Sequence, residues 1–238
     1  MKIALIGYGK MGHAIEQITL DKGHEIVLRI GIENLEDFTL ESVSKADVAI
    51  EFTSPHSAAE NIKKCIDAGV SVVCGSTGWL QQFEEIKKYV IDKNSAFLYA
   101  SNFSIGVNLF FELNNFLAQL MSKHDNYHVV LEEIHHTQKK DAPSGTAITL
   151  AEQVMKNIRT KKQWVNHISD NEAELEIISE RIDPAPGTHK IKYTSAIDDI
   201  EIIHTAHNRQ GFASGAVLAA EFIYGKKGIF SMKDVLSL

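Results

Sequence analysis

The stretch Lys2-Ile3-Ala4-Leu5-Ile6-Gly7-Tyr8-Gly9-Lys10-Met11-Gly12 decides the fold. A short apolar run enters a G-x-G-x-x-G sequence, and Ala14, Ile15 and Ile18 then recur at helical spacing. That is strand, glycine turn, helix, the context in which the three glycines have separate duties. Gly7 permits the tight turn, Gly9 lets a pyrophosphate reach the backbone, and Gly12 allows close helix–strand packing. Phosphates at a helix start meet unpaired N–H groups and the positive end of the helix dipole. Gly7, Tyr8, Gly9, Lys10, Met11 and Gly12 are therefore expected to line a dinucleotide. The bland alternative is a glycine-rich turn with no ligand. The motif needs an acid about 20 residues later for the adenosine ribose. Glu33 stands there, although Gly31 occupies a position where an acid is also expected. Lys10 and Arg29 are candidates to meet a ribose 2′-phosphate, so NADH, NADPH or both are expected.

Outward from this motif the alternation continues. Apolar runs at Glu25–Ile30, Asp47–Phe52, Val70–Cys74 and Ala96–Tyr99 read as strands. Helical spacing lies between them, at Ala58, Ala59, Ile62, Cys65, Ile66 and at Leu80, Phe83, Ile86, Val90. Ser54-Pro55 is expected to start the first of these helices and Gly69 to stop it. This is a Rossmann-like α/β pattern with a parallel sheet. Two loops fall at strand C-termini, where open α/β sheets bind ligands. Gly75, Ser76 and Thr77 lie in one; Ala100, Ser101, Asn102 and Phe103 form the other.

Near residues 103–106 the rhythm changes. Val107–Met121 reads as a long helix with Leu109, Phe110, Leu113, Phe116, Leu117 and Leu120 on one side. A strand at Val129–His135, a helix over about Thr146–Ile158, and strands at Ala173–Ile182, Thr188–Ala196 and Ile200–His207 follow. Clustered strands predict an α+β unit with a largely antiparallel sheet. Ala213–Ile223 is apolar and small enough to pack on a sheet.

Length and composition agree with two modest domains. The 238 residues are 44% hydrophobic and 23% charged, with a net charge of −7. An acidic chain of this kind lacks the footprint of a nucleic-acid binder. No apolar run approaches the roughly 20 residues of a membrane span, and the apolar start is too short for a signal-peptide core. Two cysteines form neither a disulfide framework nor a zinc quartet. A cytoplasmic protein with no membrane partner is expected.

The second chemical constellation is His135-His136-Thr137-Gln138-Lys139-Lys140-Asp141-Ala142-Pro143-Ser144-Gly145-Thr146. Imidazoles exchange protons near neutrality, Lys139 adds a compact positive charge, and the helix start cradles anions. Adjacent strand residues point to opposite faces, so the bland alternative is that one histidine is buried and inert. The adjacent spacing suits one metal ion poorly, and no metal is expected. His204 and His207 read as structural.

In these motifs the sequence resembles the 4-hydroxy-tetrahydrodipicolinate reductase family (older name dihydrodipicolinate reductase). The match runs through Gly7–Gly12, Cys74–Gly78, Ser101–Asn108 and above all His135–Ala147, and more weakly through His204–Arg209 and Phe212–Val217. The resemblance implies NAD(P)H-dependent reduction of 4-hydroxy-tetrahydrodipicolinate with loss of water, on the route to diaminopimelate and lysine. It implies a dinucleotide-binding domain of residues 1–105 with 213–238, and a substrate-binding and tetramerisation domain of residues 106–212. His135 would be the catalytic proton donor or acceptor and Lys139 a proton donor. His136, Gly145 and Thr146 would hold the carboxylates of a small dicarboxylate, with Ser144 adjacent, and the protein would be a homotetramer. Two features depart from the family pattern. The chain is short between its second and third strands, and Arg181–His189 replaces a glycine-rich stretch, which leaves the role of Arg181 open. The alternatives are another two-domain NAD(P)-dependent oxidoreductase, such as an amino-acid dehydrogenase, and a non-catalytic dinucleotide-sensing regulator.

Overall fold

Residues 1–208 and 210–238 are described by a computed structural model of the chain. Arg209, the last residue of one resembling segment, lies outside them. The chain begins with β1 (Lys2–Ile6), α1 (Lys10–Asp21), β2 (Glu25–Ile30), α2 (Leu40–Val43), β3 (Val48–Glu51), α3 (Ala58–Asp67), β4 (Ser71–Cys74), α4 (Phe83–Asp92) and β5 (Ala96–Tyr99). It continues with α5 (Ile105–Met121), β6 (His128–His135), α6 (Gly145–Asn157), β7 (Gln163–Val165), β8 (Glu174–Arg181), β9 (Gly187–Thr194) and β10 (Asp199–Ala206). It closes with α7 (Gln210–Ile223), β11 (Gly228–Phe230) and α8 (Met232–Leu236). The first unit joins Met1–Ile105 to Gln210–Leu238; the second begins at Gly106. The return begins at Gln210, three residues before the 213 read from sequence, because α7 starts there.

In the first unit all six strands run parallel, in the order β11-β5-β4-β3-β1-β2. Successive side chains of a strand alternate faces. Ala4 and Ile6 therefore join a core with Ile62, Cys65 and Ile66 of α3 and Ile86 and Val90 of α4. Ile3 and Leu5 join the opposite core with Ile15 of α1 and Ala216, Val217 and Ala220 of α7. Both faces are covered, which is why these strands read as unbroken apolar runs. Small residues let α7 approach closely: a methyl group on Gly215 would fall 1.8 Å from the Phe103 carbonyl oxygen. One boundary differs from expectation. Ser54-Pro55 forms a turn, and α3 starts three residues later with Ser57 as its N-cap. The Ser54 carbonyl instead accepts from the backbone N–H groups of Ser57 and Ala58.

The second unit carries a five-stranded sheet in the order β10-β9-β6-β8-β7. It is mixed rather than largely antiparallel. β10–β9 and β9–β6 are antiparallel pairs, while β6–β8 and β7–β8 are parallel. The reason is α6: a helix between β6 and the following strands is a crossover, which returns the chain in the same direction. Most of the apolar residues read on one side of α5 are not on its buried side. Val107, Phe110, Asn114, Ala118 and Met121 are buried, whereas Leu109, Leu113, Phe116 and Leu120 are about half exposed. α5 is apolar on two stripes, each at 3–4 spacing, and periodicity alone does not say which one meets the sheet.

Candidate active site

At the cofactor end each glycine meets a distinct constraint. Gly7 has φ +104°, and a methyl group there would lie 2.0 Å from the Phe52 carbonyl oxygen. A methyl on Gly12 would lie 2.6 Å from the Gly7 oxygen, so helix and turn touch. Around the Cβ position of Gly9 nothing lies within 4 Å. Gly9 is the N-cap of α1, with no side-chain cap and no acidic residue in the first turn. The first-turn N–H groups are thus not taken by a side-chain cap, and the backbone there is approachable. These residues fit a dinucleotide pyrophosphate.

Arg29 is committed elsewhere. Its Nε donates to Glu16 Oε1 at 2.7 Å, its Nη2 makes a second contact to the same oxygen, and the Tyr8 hydroxyl donates to Glu16 Oε2. The Tyr8 hydrogen bond, with Arg29 behind it, holds the Glu16 carboxyl below its ordinary pKa. Glu33 is exposed in the turn after β2, and Lys10 is exposed at the start of α1. The loops after β3 and β4 are tied together by Glu51, fully buried at the end of β3. Its carboxylate accepts from the Thr53 N–H at 3.1 Å, from the Thr53 hydroxyl, and from Cys74 Sγ at 3.0 Å. Ser76 Oγ also accepts from the Thr53 N–H, at 2.8 Å, so this hydroxyl braces the loop from within. Gly75 is required by packing, since a methyl group would enter the Phe52 ring at 2.2 Å. Thr77 and Ser101 are exposed and Asn102 partly so, whereas Ala100 and Phe103 lie in the core. Phe103 therefore presents no side chain to a ligand.

In the second unit the strand period does the positioning. Glu133 and His135, two apart on β6, face the interior, and His136, the residue after the strand, is partly exposed. Register adds two distant residues to the same face: β6 pairs Glu133 with His189 of β9, and His135 with Arg181 of β8. Glu133 is fully buried, and His135 and His189 nearly so. The His135 Nδ1 lies 3.4 Å from Glu133 Oε2, and His189 Nε2 lies 3.7 Å from the same oxygen. Glu133 accepts from the Ser144 N–H at 3.1 Å and 3.2 Å, from the Ser179 hydroxyl at 2.7 Å, and from Arg181 Nη2 at 3.3 Å.

Ser144 caps α6, its Oγ accepting from the Ala147 N–H at 3.2 Å and lying 3.2 Å from His189 Nε2. Buried and engaged in this way, its hydroxyl is a structural support. Gly145, the next residue, is exposed and open, and Thr146 is partly exposed. Arg181 shapes the loop that carries Lys139, donating to the carbonyls of Lys139 at 3.3 Å and Asp141 at 2.6 Å. Lys139 Nζ pairs with Asp141 at 2.7 Å. Gly187 lies against the other ring nitrogen: a methyl group there would be 3.2 Å from His135 Nε2.

These contacts set the charge states. Burial pushes Glu133 up, but hydrogen bonds from Ser144 and Ser179 and the His135 ring outweigh it, leaving the carboxyl below its ordinary value. Burial pushes His135 down and Glu133 pulls it back; with Lys139 and Arg181 nearby it stays below an ordinary histidine. Burial, then His135, pushes His189 down to about 3. Burial thus biases both rings toward the neutral form. Glu133, His135 and His189 present ligand atoms within 4.8 Å of one another, a donor set that a metal can use. The sequence reading weighed only His135-His136 and His204/His207 for that role. The carboxylate is nevertheless engaged by four hydrogen bonds, one from a cation, so it serves here as a hydrogen-bonding hub. Glu133, Arg181, His189 and Glu51 were not among the sequence candidates. His204 on β10 packs against Phe110 with ring centroids 5.8 Å apart, and His207 is exposed beyond the strand.

Comparison with known proteins then decides the family. Residues 1–103 match the family described as dihydrodipicolinate reductase, N-terminus, and residues 106–236 match its C-terminus. The chain belongs to the dihydrodipicolinate reductase family. A 4-hydroxy-tetrahydrodipicolinate reductase of Christiangramia forsetii is 50% identical, covering 100% of this chain and 98% of the relative. One from Methanoregula boonei is 33% identical over 91% of this chain and 83% of its own length. A dipicolinate-bound dihydrodipicolinate reductase from Paenisporosarcina sp. TG-14 shares the fold, with a TM-score of 0.78, 22% identity and 97% coverage of both chains. Membership makes the chain an NAD(P)H-dependent oxidoreductase of a family whose substrate is a small dicarboxylate. The readings as an amino-acid dehydrogenase and as a non-catalytic sensor fall away.

Proposed function

We propose that the chain reduces 4-hydroxy-tetrahydrodipicolinate to tetrahydrodipicolinate, consuming NAD(P)H and one proton and releasing water. The observation that carries this reading is His135, backed by Glu133 on its own strand, with Lys139 and the N-terminus of α6 nearby. Residues 1–105 with 213–238 take the dinucleotide through Gly7–Gly12, Glu33, Gly75–Thr77 and Ala100–Phe103. Residues 106–212 take the substrate and build a homotetramer, which works in the cytoplasm. NAD(P)H supplies the hydride when bound. The protein's own tasks are to hold two carboxylates and to move a proton to the carbon beside the hydride acceptor. His136 and the Gly145 and Thr146 N–H groups at the start of α6 grip the carboxylates, where the helix dipole favours negative charge. Lys139 compensates charge and donates a proton, and His135 exchanges one near neutrality.

Three alanine variants test this division. His135→Ala is expected to lose about 10²–10⁴ in kcat, the usual share of a general acid–base group, while NADH binding by calorimetry stays unchanged. Lys139→Ala is expected to lower kcat and raise KM together, and His136→Ala mainly to raise KM. A His135→Ala enzyme with a lowered melting point but near-normal turnover overturns the assignment.

A further inference from the structure

We infer that Glu133 is a positioning residue: it holds His135 in the tautomer protonated at Nδ1, leaving the Nε2 lone pair to exchange the proton. The inference rests on the role given to His135 above. It begins from the two ring nitrogens, which have unlike surroundings. Nδ1 is buried, makes no hydrogen bond, and lies 3.4 Å from a carboxylate oxygen, nearer to it than to any other charged group. An ionised carboxylate only accepts hydrogen bonds, so a proton on Nδ1 is favoured and a lone pair there is repelled. Nε2 lies on the side of Gly187, where a methyl group would stand only 3.2 Å from it. The partner acid of a catalytic histidine elsewhere acts by the same logic, setting the tautomer and stabilising the imidazolium without itself taking the proton.

The surroundings of Glu133 keep it ionised despite full burial. The Ser144 N–H, the Ser179 hydroxyl and Arg181 all donate to it. His189 shares the carboxylate but remains neutral far below pH 7, so it does not compete for the charge. The charged groups acting on the His135 ring are then Glu133 on its own strand, Arg181 on β8, and Lys139 and Asp141 on the following loop; His189 on β9 is the remaining titratable group against it. Of these, Glu133 and Asp141 favour the imidazolium, and only Glu133 is within reach of Nδ1. Because Ser144 is also the N-cap of α6, the same carboxylate ties the histidine to the helix start that grips the substrate.

The test begins with the unmutated enzyme, its histidines labelled with ¹⁵N. The ring-nitrogen shifts are expected to report His135 protonated at Nδ1 at pH 7; an Nε2–H tautomer overturns the inference with no variant needed. Glu133→Gln presents an amide donor as well as an acceptor and removes the charge. It is expected to lower kcat by about 10²–10⁴, to leave the NADH Kd unchanged, and to move the acidic limb of the kcat profile to lower pH. Glu133→Asp, which keeps the charge, is expected to recover part of kcat. If Glu133→Gln does not fold, Ser179→Ala serves: weaker support of the carboxylate should give a several-fold loss of kcat and a smaller shift of the same limb. A normal tautomer and normal kcat in Glu133→Gln, beside an inactive His135→Ala, sink this inference alone. An active His135→Ala sinks the proposed function instead.

Discussion

Glu16 decides what Arg29 can do. The guanidinium was a candidate for a ribose 2′-phosphate, yet both of its contacting nitrogens rest on the Glu16 carboxylate. The wild-type enzyme is expected to use both cofactors, with no thousandfold exclusion of NADPH. Glu16→Gln should free Arg29 and raise kcat/KM for NADPH relative to NADH on the order of fivefold, the size of one exposed charge contact. Steady-state kinetics with both cofactors check it, and an unchanged ratio would remove Arg29 from the cofactor site. A second prediction belongs to His189. Its native pKa, about 3, lies well below the ordinary histidine value. A depressed native pKa gives stability that is present above the unfolded pKa, about 6.5, and lost as pH falls toward the native value. Thermal melts are therefore expected to fall between pH 6.5 and pH 4, by up to about 1.4 kcal/mol per pH unit from this residue. His189→Asn should flatten that slope; a slope unchanged by the substitution would contradict the argument.

At the scale of elements, the β1–α1 turn separates glycines that serve packing from the one proposed to serve a ligand. Gly7 and Gly12 have backbone atoms where a side chain would go, and Gly9 has open space. Gly9→Val is accordingly expected to fold, with a melting temperature near wild type, and to lose several kcal/mol of NADH binding, roughly the scale of overpacking. Calorimetry that finds an unchanged Kd in the folded variant would place the pyrophosphate elsewhere. The crossover helix α6 was recognised from sequence, but its consequence for sheet direction was not. Helix α5 teaches the converse lesson: its apolar residues were identified, and the face it buries was not.

For the whole molecule, the outer edge of the second sheet is the feature that asks for a partner. β10 is eight residues long and terminal in its sheet, with no strand on its outer edge among the described residues. Ile200 and Ile203 on it are 37% and 56% exposed. A long edge strand with apolar side chains invites pairing with another chain, and assembly into the proposed tetramer would cover it. Ile203→Lys is expected to shift sedimentation equilibrium toward smaller species, because an edge lysine opposes strand addition. An intact tetramer in this variant would place the assembly contacts on another surface.

The parallel sheet and its cofactor turn were legible because they rest on local signals. Lys2–Gly12 names a strand, a turn and a helix within eleven residues, although the contact that keeps Gly7 a glycine comes from Phe52, far along the chain. His135 and Lys139 were legible for the same reason, as reactive side chains around a helix start. Short elements such as β7, β11 and α8 were not seen, since three to five residues carry no periodicity. Glu133 stood within reach of the period-2 rule, two residues before His135, but its importance depends on burial. His189 and Arg181 join the site only through strand register, which sets β9 and β8 against β6. Local sequence thus determined the longer elements and which side chains are candidates for the chemistry. Tertiary structure alone decided their company, because burial and register belong to strands far apart in the chain, and those two quantities fix the charge on a carboxylate and the tautomer of a histidine.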